Sequence, residues 1–368
     1  MPFRFRVESR GALAWSTSVV VARGSLALAA ADIADRFHDL LKIVVSDARV
    51  GRLYGRHFVR LLERRGARAT LMTYPPGERY KTRETKARLE DRLLHLGAGR
   101  DTLIVALGGG VTGDLAGFLA ATWHRGVPVV SIPTSLLAMV DAALGGKTAV
   151  DLPGGKNLVG AFHQPVSLWA DPRVLRTLPA RTYRAGLAEA VKTAAALDAA
   201  LFRRLEVDVA RVLRRDERCV GQIVARCLVL KGRVVASDSR EAGRRAVLNF
   251  GHTVAHAIEA ATEYRVAHGE AVSIGVVAEA RLAERITGLP RAHADRIEAL
   301  LRAFGLPVHP PRGLYPRRLA LAARRDKKTR SGVVRCALPE RIGRMPAGTD
   351  PTLPVDPIRD LLPFLVVN

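Results

Sequence analysis

Short runs of β-branched and aliphatic residues alternate with helix-like segments through the first half of this sequence. The runs lie at residues 41–46, 68–74, 102–107 and 127–132, and residues 11–31 also read as a strand followed by a helix. Such runs separated by helices predict parallel strands joined by crossover connections. We therefore expect the first half of the chain to fold around a parallel sheet with helices packed on it.

The pattern changes near residue 182. Long segments rich in Ala, Leu and Arg with helical spacing continue to about residue 325, and strand signals nearly vanish. A chain of 368 residues exceeds the size at which one hydrophobic core stops growing. We expect an α/β domain with a parallel, Rossmann-like sheet over residues 1–180 and an all-α domain over residues 181–368, with the active site in the cleft between them.

Composition narrows the class of protein. The formal net charge is +23, but the arginines are spread along the whole chain and aromatic residues make up only 5%. A solvated basic surface that attracts acidic substrates explains this better than nucleic-acid binding. Three cysteines without a CxxC pair argue against a disulfide framework or a structural zinc site. No apolar run approaches the ~18 residues of a membrane span, so we expect a cytoplasmic protein that binds neither nucleic acid nor membrane.

Lysine is scarce and unevenly placed. Nine lysines stand against 49 arginines, and seven of the nine fall in short segments rich in Gly, Asp, Asn, Glu or His. An ammonium is a compact charge that can also exchange a proton, which an arginine does not do. These lysines indicate a working site that handles anions, with codon bias and chance clustering as the alternative. They are Lys81, Lys147, Lys156, Lys192, Lys231, Lys327 and Lys328.

Glycine-rich or polar residues follow the predicted strands. The segment GGGVTGD at residues 108–114 begins where a strand ends, and its glycines would let a phosphate approach the backbone. Taken alone, a structural turn explains that segment nearly as well. Asp47 and Pro133-Thr134-Ser135 also follow strands. Since ligands of open parallel sheets bind beyond the carboxyl ends of the strands, we expect these segments to converge.

Two lysines and an asparagine lie on glycine-rich stretches a little further on. Lys147 follows Gly145-Gly146, Lys156 and Asn157 follow Gly155, and Asp141 precedes them all. Cationic and amide groups on such turns suit a phosphate or pyrophosphate. The Gly-x-x-x-x-Gly-Lys spacing of a P-loop is absent, and two ordinary turns are the alternative.

Histidines cluster in the second half. Asn249, His252 and His256 have the spacing i, i+3, i+7, which places them on one side of a helix. His252 and His268 with one carboxylate would form a His₂Glu set, the ligand type of catalytic zinc sites that keep a position open. His256 is a second candidate ligand, or else an acid–base group.

The carboxylate of that set is left open by the sequence. Glu189 and Glu270 are both candidates on chemistry alone. Glu189 and Lys192 stand three apart and hence on one helix face, where an ordinary surface salt bridge is the alternative interpretation.

Together these segments resemble the 3-dehydroquinate synthase family of sugar phosphate cyclases. The matching segments follow the family's order and spacing over most of residues 75–343. They are PPGE (75–78), GGGVTGDLAGF (108–118), RGVPVVSIPTSLLAMVDAALGGKTAVD (125–151), GKNLVGAFHQP (155–165), TLPARTYRAGLAEAVK (177–192), LNFGHTVAHAIEA (248–260), HGEAV (268–272) and DKK (326–328).

The resemblance implies a role for each matched residue. Glu189, His252 and His268 match ligands to a divalent metal, zinc or cobalt, which leaves Glu270 in a supporting place. The residues that match the NAD site are Asp47, Glu78, Lys81, Gly109, Gly110, Asp114, Thr134, Asp141 and Thr177, with Lys147 and Lys156 beside the cofactor as well. The residues that match groups holding the substrate's phosphate, carboxylate and hydroxyls are Lys147, Asn157, Lys192, Lys231, Arg245, Asn249, His256 and Lys327. Arg125 matches an arginine offered to the phosphate across a dimer interface, which implies a homodimer.

The implied reaction converts 3-deoxy-D-arabino-heptulosonate 7-phosphate to 3-dehydroquinate and phosphate in the shikimate pathway, with transient reduction of NAD and no net redox. The α/β domain would bind NAD, and the helical domain would bind metal and substrate. Three residues depart from the family's usual pattern, Arg49, Thr182 and Ser239, and we expect them to change NAD affinity at most. A sister cyclase such as an aminodehydroquinate synthase is the alternative, followed by a metal-dependent polyol dehydrogenase.

Overall fold

The structure is a computed structural model that describes residues 2–9, 14–311, 314, 319 and 333–364, without the side chains of Ile358 and Leu362. The chain divides into two compact units. Unit 1 holds Met1–Leu178 with Val220–Leu228, and unit 2 holds Pro179–Cys219 with Val229–Asn368.

Unit 1 is built on a seven-stranded sheet. Its strands are β1 (Phe3–Ser9), β2 (Trp15–Val21), β3 (Leu41–Asp47), β4 (Ala69–Tyr74), β5 (Thr102–Gly108), β6 (Val129–Pro133) and β9 (Ser167–Ala170). They lie in the order β1-β2-β9-β6-β5-β3-β4. β1 pairs antiparallel with β2, and the other neighbours pair parallel. The four predicted runs correspond to β3, β4, β5 and β6, so the parallel sheet is confirmed.

Helices cover both faces of this sheet. They are α1 (Ser25–Arg36), α2 (Ala48–Val50), α3 (Arg56–Glu63), α4 (Arg83–His95) and α5 (Gly110–Thr122), with a π-helical turn, Gly51–Gly55, between α2 and α3. Successive residues of a strand point to opposite faces. Ile104 of β5 therefore packs in the core with Leu115 of α5, while the neighbouring Val105 packs with Phe58 of α3.

A β-hairpin lies where the sequence predicted two glycine-rich turns. β7 (Lys147–Leu152) pairs antiparallel with β8 (Gly155–Phe162). Lys147 and Asn157 thus lie on strands, and the prediction that they occupy turns is wrong. A Cβ at Gly160 would lie 1.9 Å from the Thr148 carbonyl oxygen, so this glycine serves close strand pairing.

Unit 2 is mainly helical. Its helices are α6 (Ala180–Leu197), α7 (Ala199–Val207), α8 (Val209–Leu213), α9 (Glu217–Ser237, of which residues 220–228 belong to unit 1), α10 (His252–Ala261), α11 (His268–Ile286) and α12 (Arg291–Ala303). A short antiparallel ribbon of β10 (Val334–Ala337) and β11 (Thr352–Val355) departs from the all-α expectation. Four-residue strands are too short for a periodic pattern to reveal them.

Glycines of α11 allow two other helices to approach it closely. A Cβ at Gly269 would lie 2.0 Å from the Ala185 carbonyl oxygen of α6, and one at Gly275 would lie 2.0 Å from the Gly251 carbonyl oxygen just before α10. Because these positions lack side chains, α6 and the start of α10 each approach the backbone of α11 closely. Among the described residues, no helix is long and apolar enough to cross a membrane.

Candidate functional site

Three side chains from three helices of unit 2 converge. Glu189 lies in α6, and His252 and His268 are the first residues of α10 and α11. Nε2 of His268 lies 3.2 Å from Oε1 of Glu189, and Nε2 of His252 lies 3.7 Å from the same oxygen. The three ligand atoms all lie within 4.8 Å of one another. The fold therefore assembles a His₂Glu set from residues far apart in the sequence.

The other candidate carboxylate, Glu270, is engaged elsewhere. Its two oxygens accept hydrogen bonds from Nε and Nη2 of Arg181 at 2.6 and 2.7 Å. Those hydrogen bonds lower the pKa of Glu270. Residues two apart on a helix do not share a face, so Glu270 points away from His268. Of the two carboxylates that residue chemistry left open, Glu189, the one that the resemblance implied, lies beside the imidazoles.

Lys192 shares the Glu189 carboxylate with the imidazoles. Its ammonium lies 2.5 Å from Oε2 of Glu189, and both side chains are buried, so this pair is not a surface salt bridge. Burial alone would lower the pKa of His268, but hydrogen bonds with Glu189 and Glu259 raise it to about 10. A bound cation would replace the proton on the ring nitrogen, since a ligating imidazole must be neutral.

The donor set fits a divalent ion such as zinc. Two imidazole nitrogens and one carboxylate oxygen are the ligands of many catalytic zinc sites, which keep a fourth position for water or substrate. Ligand atoms at ~2.1 Å around a tetrahedral ion lie about 3.4 Å apart. The separations of 3.2 and 3.7 Å fall on either side of that value. Both carboxylate–imidazole separations therefore suit a tetrahedral ion, and all three ligand atoms lie within 4.8 Å of one another.

The segment before α10 differs from the prediction. Gly251 has φ +81° and ends the helical conformation, so α10 begins at His252. Asn249 lies in a preceding 3₁₀ turn (Arg244–Asn249), and the prediction of one helix face for Asn249, His252 and His256 is wrong for Asn249. Its amide nitrogen donates to Oε1 of Glu241 at 3.1 Å. His256, unlike Asn249, lies on α10. Its ring is edge-on to the ring of His252, with 5.5 Å between the ring centroids.

Two further cations proposed for the substrate are buried in unit 2. Lys231 lies on α9, and Arg245 lies in the 3₁₀ turn before α10. Nη1 of Arg245 donates to the main-chain carbonyl of Ser239 at 2.9 Å, and its backbone N–H donates to Asp238 at 3.0 Å. Because Ser239 accepts this hydrogen bond with its main-chain carbonyl, the contact does not depend on the side chain at position 239. Lys327 and Lys328 lie outside the described residues.

In unit 1, the glycine-rich segment forms the entry from β5 into α5. A Cβ at Gly109 would lie 3.3 Å from Oγ of Ser135, and one at Gly110 would lie 3.6 Å from Cβ of Ala142. The first turn of α5 therefore meets the segment that follows β6. Backbone N–H groups of a first helical turn have no intrahelical acceptor and attract anions, so these glycines fit a phosphate.

Two other cofactor candidates belong to the same edge of the sheet. Thr134 directly follows β6, is buried, and donates its backbone N–H to the Gly108 carbonyl at 2.8 Å. Asp141 lies in a π-helical turn, Ala138–Ala142. The convergence expected from the carboxyl ends of β5 and β6 is thus present.

Lys81 is the centre of a charged cluster in unit 1. Its ammonium lies 3.1 Å from Asp114, 3.1 Å from Glu78 and 3.4 Å from Asp151, and donates to Oδ1 of Asn157 at 2.6 Å. Burial would lower the pKa of Lys81, but the carboxylates, Asp114 foremost, raise it. Burial raises the pKa of Asp114 to about 6, with Lys81 opposing that rise. Three other predicted site residues, Glu78, Asp114 and Asn157, therefore meet at the buried ammonium of Lys81.

The hairpin carries two lysines, Lys147 and Lys156, that are more accessible than Lys81. Nζ of Lys156 lies 3.8 Å from Oε1 of Glu78, at the margin of this cluster. Lys147, the first residue of β7, is exposed. Exposure suits side chains that bind a soluble ligand.

Asp47 and Thr177 both form hydrogen bonds with the segment that contains α2 and the Gly51–Gly55 turn. The Asp47 carboxylate accepts the backbone N–H groups of Arg49 and Val50 at 2.9 and 3.0 Å, which caps α2. Tyr54, in the Gly51–Gly55 turn, shares a hydrogen bond of 2.7 Å with Oγ1 of Thr177. Arg49 is exposed and enters this contact through its main chain, so the cap does not depend on the side chain at position 49.

Several residues beside these groups were missed from the sequence. Asp151 contacts Lys81, Glu241 contacts Asn249, and Tyr54 contacts Thr177. Asp151 had a usable signal, since it lies between Lys147 and Lys156 among the other polar residues of that segment. Glu241 and Tyr54 had none, because their partners are brought to them by turns that periodicity does not describe.

Two family models match consecutive parts of this chain. The family model described as 3-dehydroquinate synthase N-terminal matches residues 71–185, and the one described as 3-dehydroquinate synthase C-terminal matches residues 186–329. A 3-dehydroquinate synthase of Pelobacter propionicus is 48% identical over 82% of this chain and 84% of its own.

Two solved structures have similar folds. A 2-deoxy-scyllo-inosose synthase complexed with carbaglucose-6-phosphate, NAD⁺ and Co²⁺ has a TM-score of 0.86 at 26% identity, over 98% of this chain and 99% of its own. A 2-epi-5-epi-valiolone synthase of Streptomyces hygroscopicus with NAD⁺ and Zn²⁺ bound has a TM-score of 0.85 at 29% identity, over 96% and 98%.

Proposed function

Because this chain belongs to the 3-dehydroquinate synthase family, we propose that it converts 3-deoxy-D-arabino-heptulosonate 7-phosphate to 3-dehydroquinate and phosphate. The observation that carries the proposal is the buried cluster of Glu189, His252 and His268 with the Lys192 ammonium against the same carboxylate. It supplies a cation site beside a positive charge, which suits a substrate that bears hydroxyls and a phosphate. The much higher identity to a dehydroquinate synthase than to the inosose and valiolone synthases supports this branch.

We propose that unit 1 binds NAD and that unit 2 binds the metal and the substrate. When bound, NAD accepts and returns a hydride and the metal acts as a Lewis acid on the substrate hydroxyl. The residues proposed to bind NAD are Asp47, Glu78, Lys81, Gly109, Gly110, Asp114, Thr134, Asp141, Lys147, Lys156 and Thr177. The support for them is the glycine entry into α5 and the charged cluster around Lys81.

The chain's cations are proposed to hold the substrate's anionic groups. Lys147 of the hairpin, with Lys192 and Lys231 of the helices, would neutralise charge as phosphate leaves, and the neutral amide of Asn157 would donate hydrogen bonds. Arg245 would hold the carboxylate, since a guanidinium matches that group with two parallel hydrogen bonds. Lys327 is proposed on the resemblance alone.

His256 is proposed to move protons, and Asn249 to orient a substrate hydroxyl. The imidazole of His256 lies one helical turn from His252 on the same face of α10 and is partly exposed. An imidazole can accept a proton from the substrate and return it during the reaction. Asn249 is held by Glu241, which leaves its amide oxygen as an acceptor toward a ligand.

We propose a homodimer in which Arg125 of one protomer contributes to the partner's substrate site. Support comes from the backbone around it: His124 and Arg125 both have positive φ, 47° and 69°, and Gly126 follows at 129°. Side-chain-bearing residues seldom adopt this conformation, and where they do the strain commonly marks a functional position. A cytoplasmic location is proposed as well, supported by three buried cysteines that form no disulfide with one another.

The test is a phosphate-release assay with NAD and zinc or cobalt, run on the heptulosonate phosphate and on its amino analogue in parallel. We expect phosphate release from the first substrate with no accumulation of NADH. His268→Ala should abolish release, whereas His57→Ala, an exposed histidine of α3, should not. Preference for the amino analogue would replace the proposal with an aminodehydroquinate synthase, and steady NADH production from a polyol would indicate a dehydrogenase.

A further inference from the structure

Helices α10 and α11 each carry a buried carboxylate in addition to an imidazole of the metal-ligating cluster. Glu259 of α10 is 4% exposed and Glu279 of α11 is fully buried. Burial of a carboxylate is costly unless hydrogen bonds compensate it, and an apolar side chain would pack these helices as well. The contacts of the two carboxylates therefore need an explanation.

Glu259 contacts the imidazole of the other helix. Its Oε2 lies 3.2 Å from Nδ1 of His268, while Nε2 of the same ring faces Glu189. A neutral imidazole carries one proton, and a carboxylate beside Nδ1 keeps the proton on that nitrogen. The Nε2 lone pair then points at the place where Glu189 and His252 meet, as a metal ligand requires.

Glu279 contacts the end of the helix that carries the other imidazole. Its oxygens accept the backbone N–H groups of Gly251 at 2.7 Å, Thr253 at 3.0 Å and Val254 at 3.2 Å. Gly251 occupies the N-cap position and offers no side chain to cap the helix. The carboxylate of Glu279, 25 or more residues away in the sequence, thus takes the place of the usual N-cap side chain. Its negative charge also interacts favourably with the positive N-terminal end of the helix dipole. His252 lies between these amides in the sequence, so its backbone is held by the same contact.

We infer that Glu259 and Glu279 are positioning residues that hold the two imidazoles reciprocally. The carboxylate on α10 orients His268 of α11, and the carboxylate on α11 anchors the helix end that bears His252. This inference rests on the metal site of the proposed function. Each helix fixes the ligand of the other, so the two imidazoles keep one geometry with or without the ion.

The first test measures metal binding rather than turnover. Glu259→Ala should bind zinc about 10- to 100-fold more weakly than the wild type, the usual effect of removing a carboxylate behind a ligating imidazole. It should also change the visible absorption of bound cobalt(II), which reports ligand geometry. Glu259→Gln should retain most of the affinity, because its amide oxygen still accepts the Nδ1 hydrogen.

The second test concerns Glu279. Glu279→Gln places an NH₂ donor against backbone N–H donors, so it should weaken zinc binding and alter the cobalt spectrum. Asp198→Ala is the matched control: Asp198 is a buried carboxylate that caps α7 through the N–H groups of Ala200 and Leu201, so its loss destabilises unit 2 but should leave zinc affinity unchanged. If Glu279→Gln fails to fold, the anchoring by Glu279 is tested in the wild type by hydrogen exchange of the Thr253 and Val254 backbone amides. We expect both amides to exchange slowly in the metal-free protein.

The outcomes separate this inference from the proposed function. Wild-type zinc affinity and an unchanged cobalt spectrum in Glu259→Ala and Glu279→Gln would overturn the inference and leave the metal site standing. Equal loss in Asp198→Ala would overturn it too, since the effect would then be general destabilisation. Fast exchange of both amides in the wild type would contradict the anchoring by Glu279. A wild type that binds neither zinc nor cobalt would overturn the metal site and the inference together.

Discussion

Single residues of this protein show how burial and charge compete. Asp114 lies 3.1 Å from the Lys81 ammonium, which favours its charged form, yet burial raises the pKa of Asp114 to about 6. Lys81 keeps its charge because several carboxylates surround it. Buried lysines such as Lys81 and Lys192 explain why a chain so rich in arginine retains lysine where it does: the compact ammonium fits among several acceptors at once.

Asp114 predicts a pH dependence of cofactor binding. We expect NAD affinity to fall as the pH drops through about 6, because protonation removes a negative acceptor from the proposed site. The trend in stability has the opposite sign. A carboxyl whose folded pKa is raised above its ordinary value adds stability at low pH that is lost as the pH rises through about 6.

The measurement is titration of NAD into the protein at several pH values between 5 and 8. Asp114→Asn should remove the pH dependence, whereas Asp101→Asn, which changes an exposed carboxylate, should preserve it. An NAD affinity that is the same at pH 5 and pH 8 in the wild type would contradict this account.

At the scale of helices and strands, close packing decides where the ligands lie. α11 brings Gly269 against α6 and Gly275 against the start of α10, and these contacts place Glu189, His252 and His268 together. Periodicity predicted all three helices. The close approach of these helices depends on Gly269 and Gly275, and that role becomes apparent only from the contacts between the helix backbones.

Gly275 provides the prediction at this scale. Gly275→Ala should destabilise the protein by about 1–3 kcal/mol, because its Cβ would overlap the Gly251 carbonyl oxygen, and this outweighs the better helix propensity of alanine. Zinc affinity should fall with it, since α10 must move. Urea unfolding followed by circular dichroism and a zinc titration measure the two effects.

A matched glycine of another helix serves as the control. A Cβ at Gly113 of α5 would meet nothing within 4 Å, so Gly113→Ala should be neutral or stabilising by up to ~1 kcal/mol. If Gly275→Ala proved as stable as Gly113→Ala, the close approach of α10 and α11 would be wrong.

At the scale of the whole molecule, the functional groups are divided between two cores and, on our proposal, between two protomers. Residues proposed for NAD lie in unit 1, while Glu189, His252 and His268 lie in unit 2. Arg125 belongs to unit 1 and is proposed to serve the partner's site. On that proposal, we expect neither a single unit nor a single protomer to be active.

Mixed dimers test that arrangement. Arg125→Ala and His268→Ala should each be nearly inactive alone, but a mixed dimer contains one site with both residues intact. Equal mixing with random exchange of protomers should restore about a quarter of wild-type activity, since half of the dimers are mixed and each has one good site. Phosphate release before and after exchange is the measurement. No recovery in a sample that has exchanged would mean that Arg125 acts within its own protomer.

Local sequence patterns determined much of this protein. The four β-branched runs predicted β3 to β6, and helical spacing predicted the second half of the chain. The ordered motifs identified the family and drew attention to His252, His268 and two glutamates. These features depend on residues near one another in the chain, and for that reason they can be read without coordinates.

Tertiary structure alone decided the remaining questions. Chemistry alone left Glu189 and Glu270 open and the family resemblance favoured Glu189, while the packing of α6 on α11 is what brings Glu189 to the imidazoles. Only the strand pairing of β7 with β8 moves Lys147 and Asn157 off turns, and only Gly251 at positive φ takes Asn249 out of α10. The carboxylate of Glu279 reaches amides 25 to 28 residues earlier in the chain. Such contacts join residues distant in sequence, and no local periodicity specifies them.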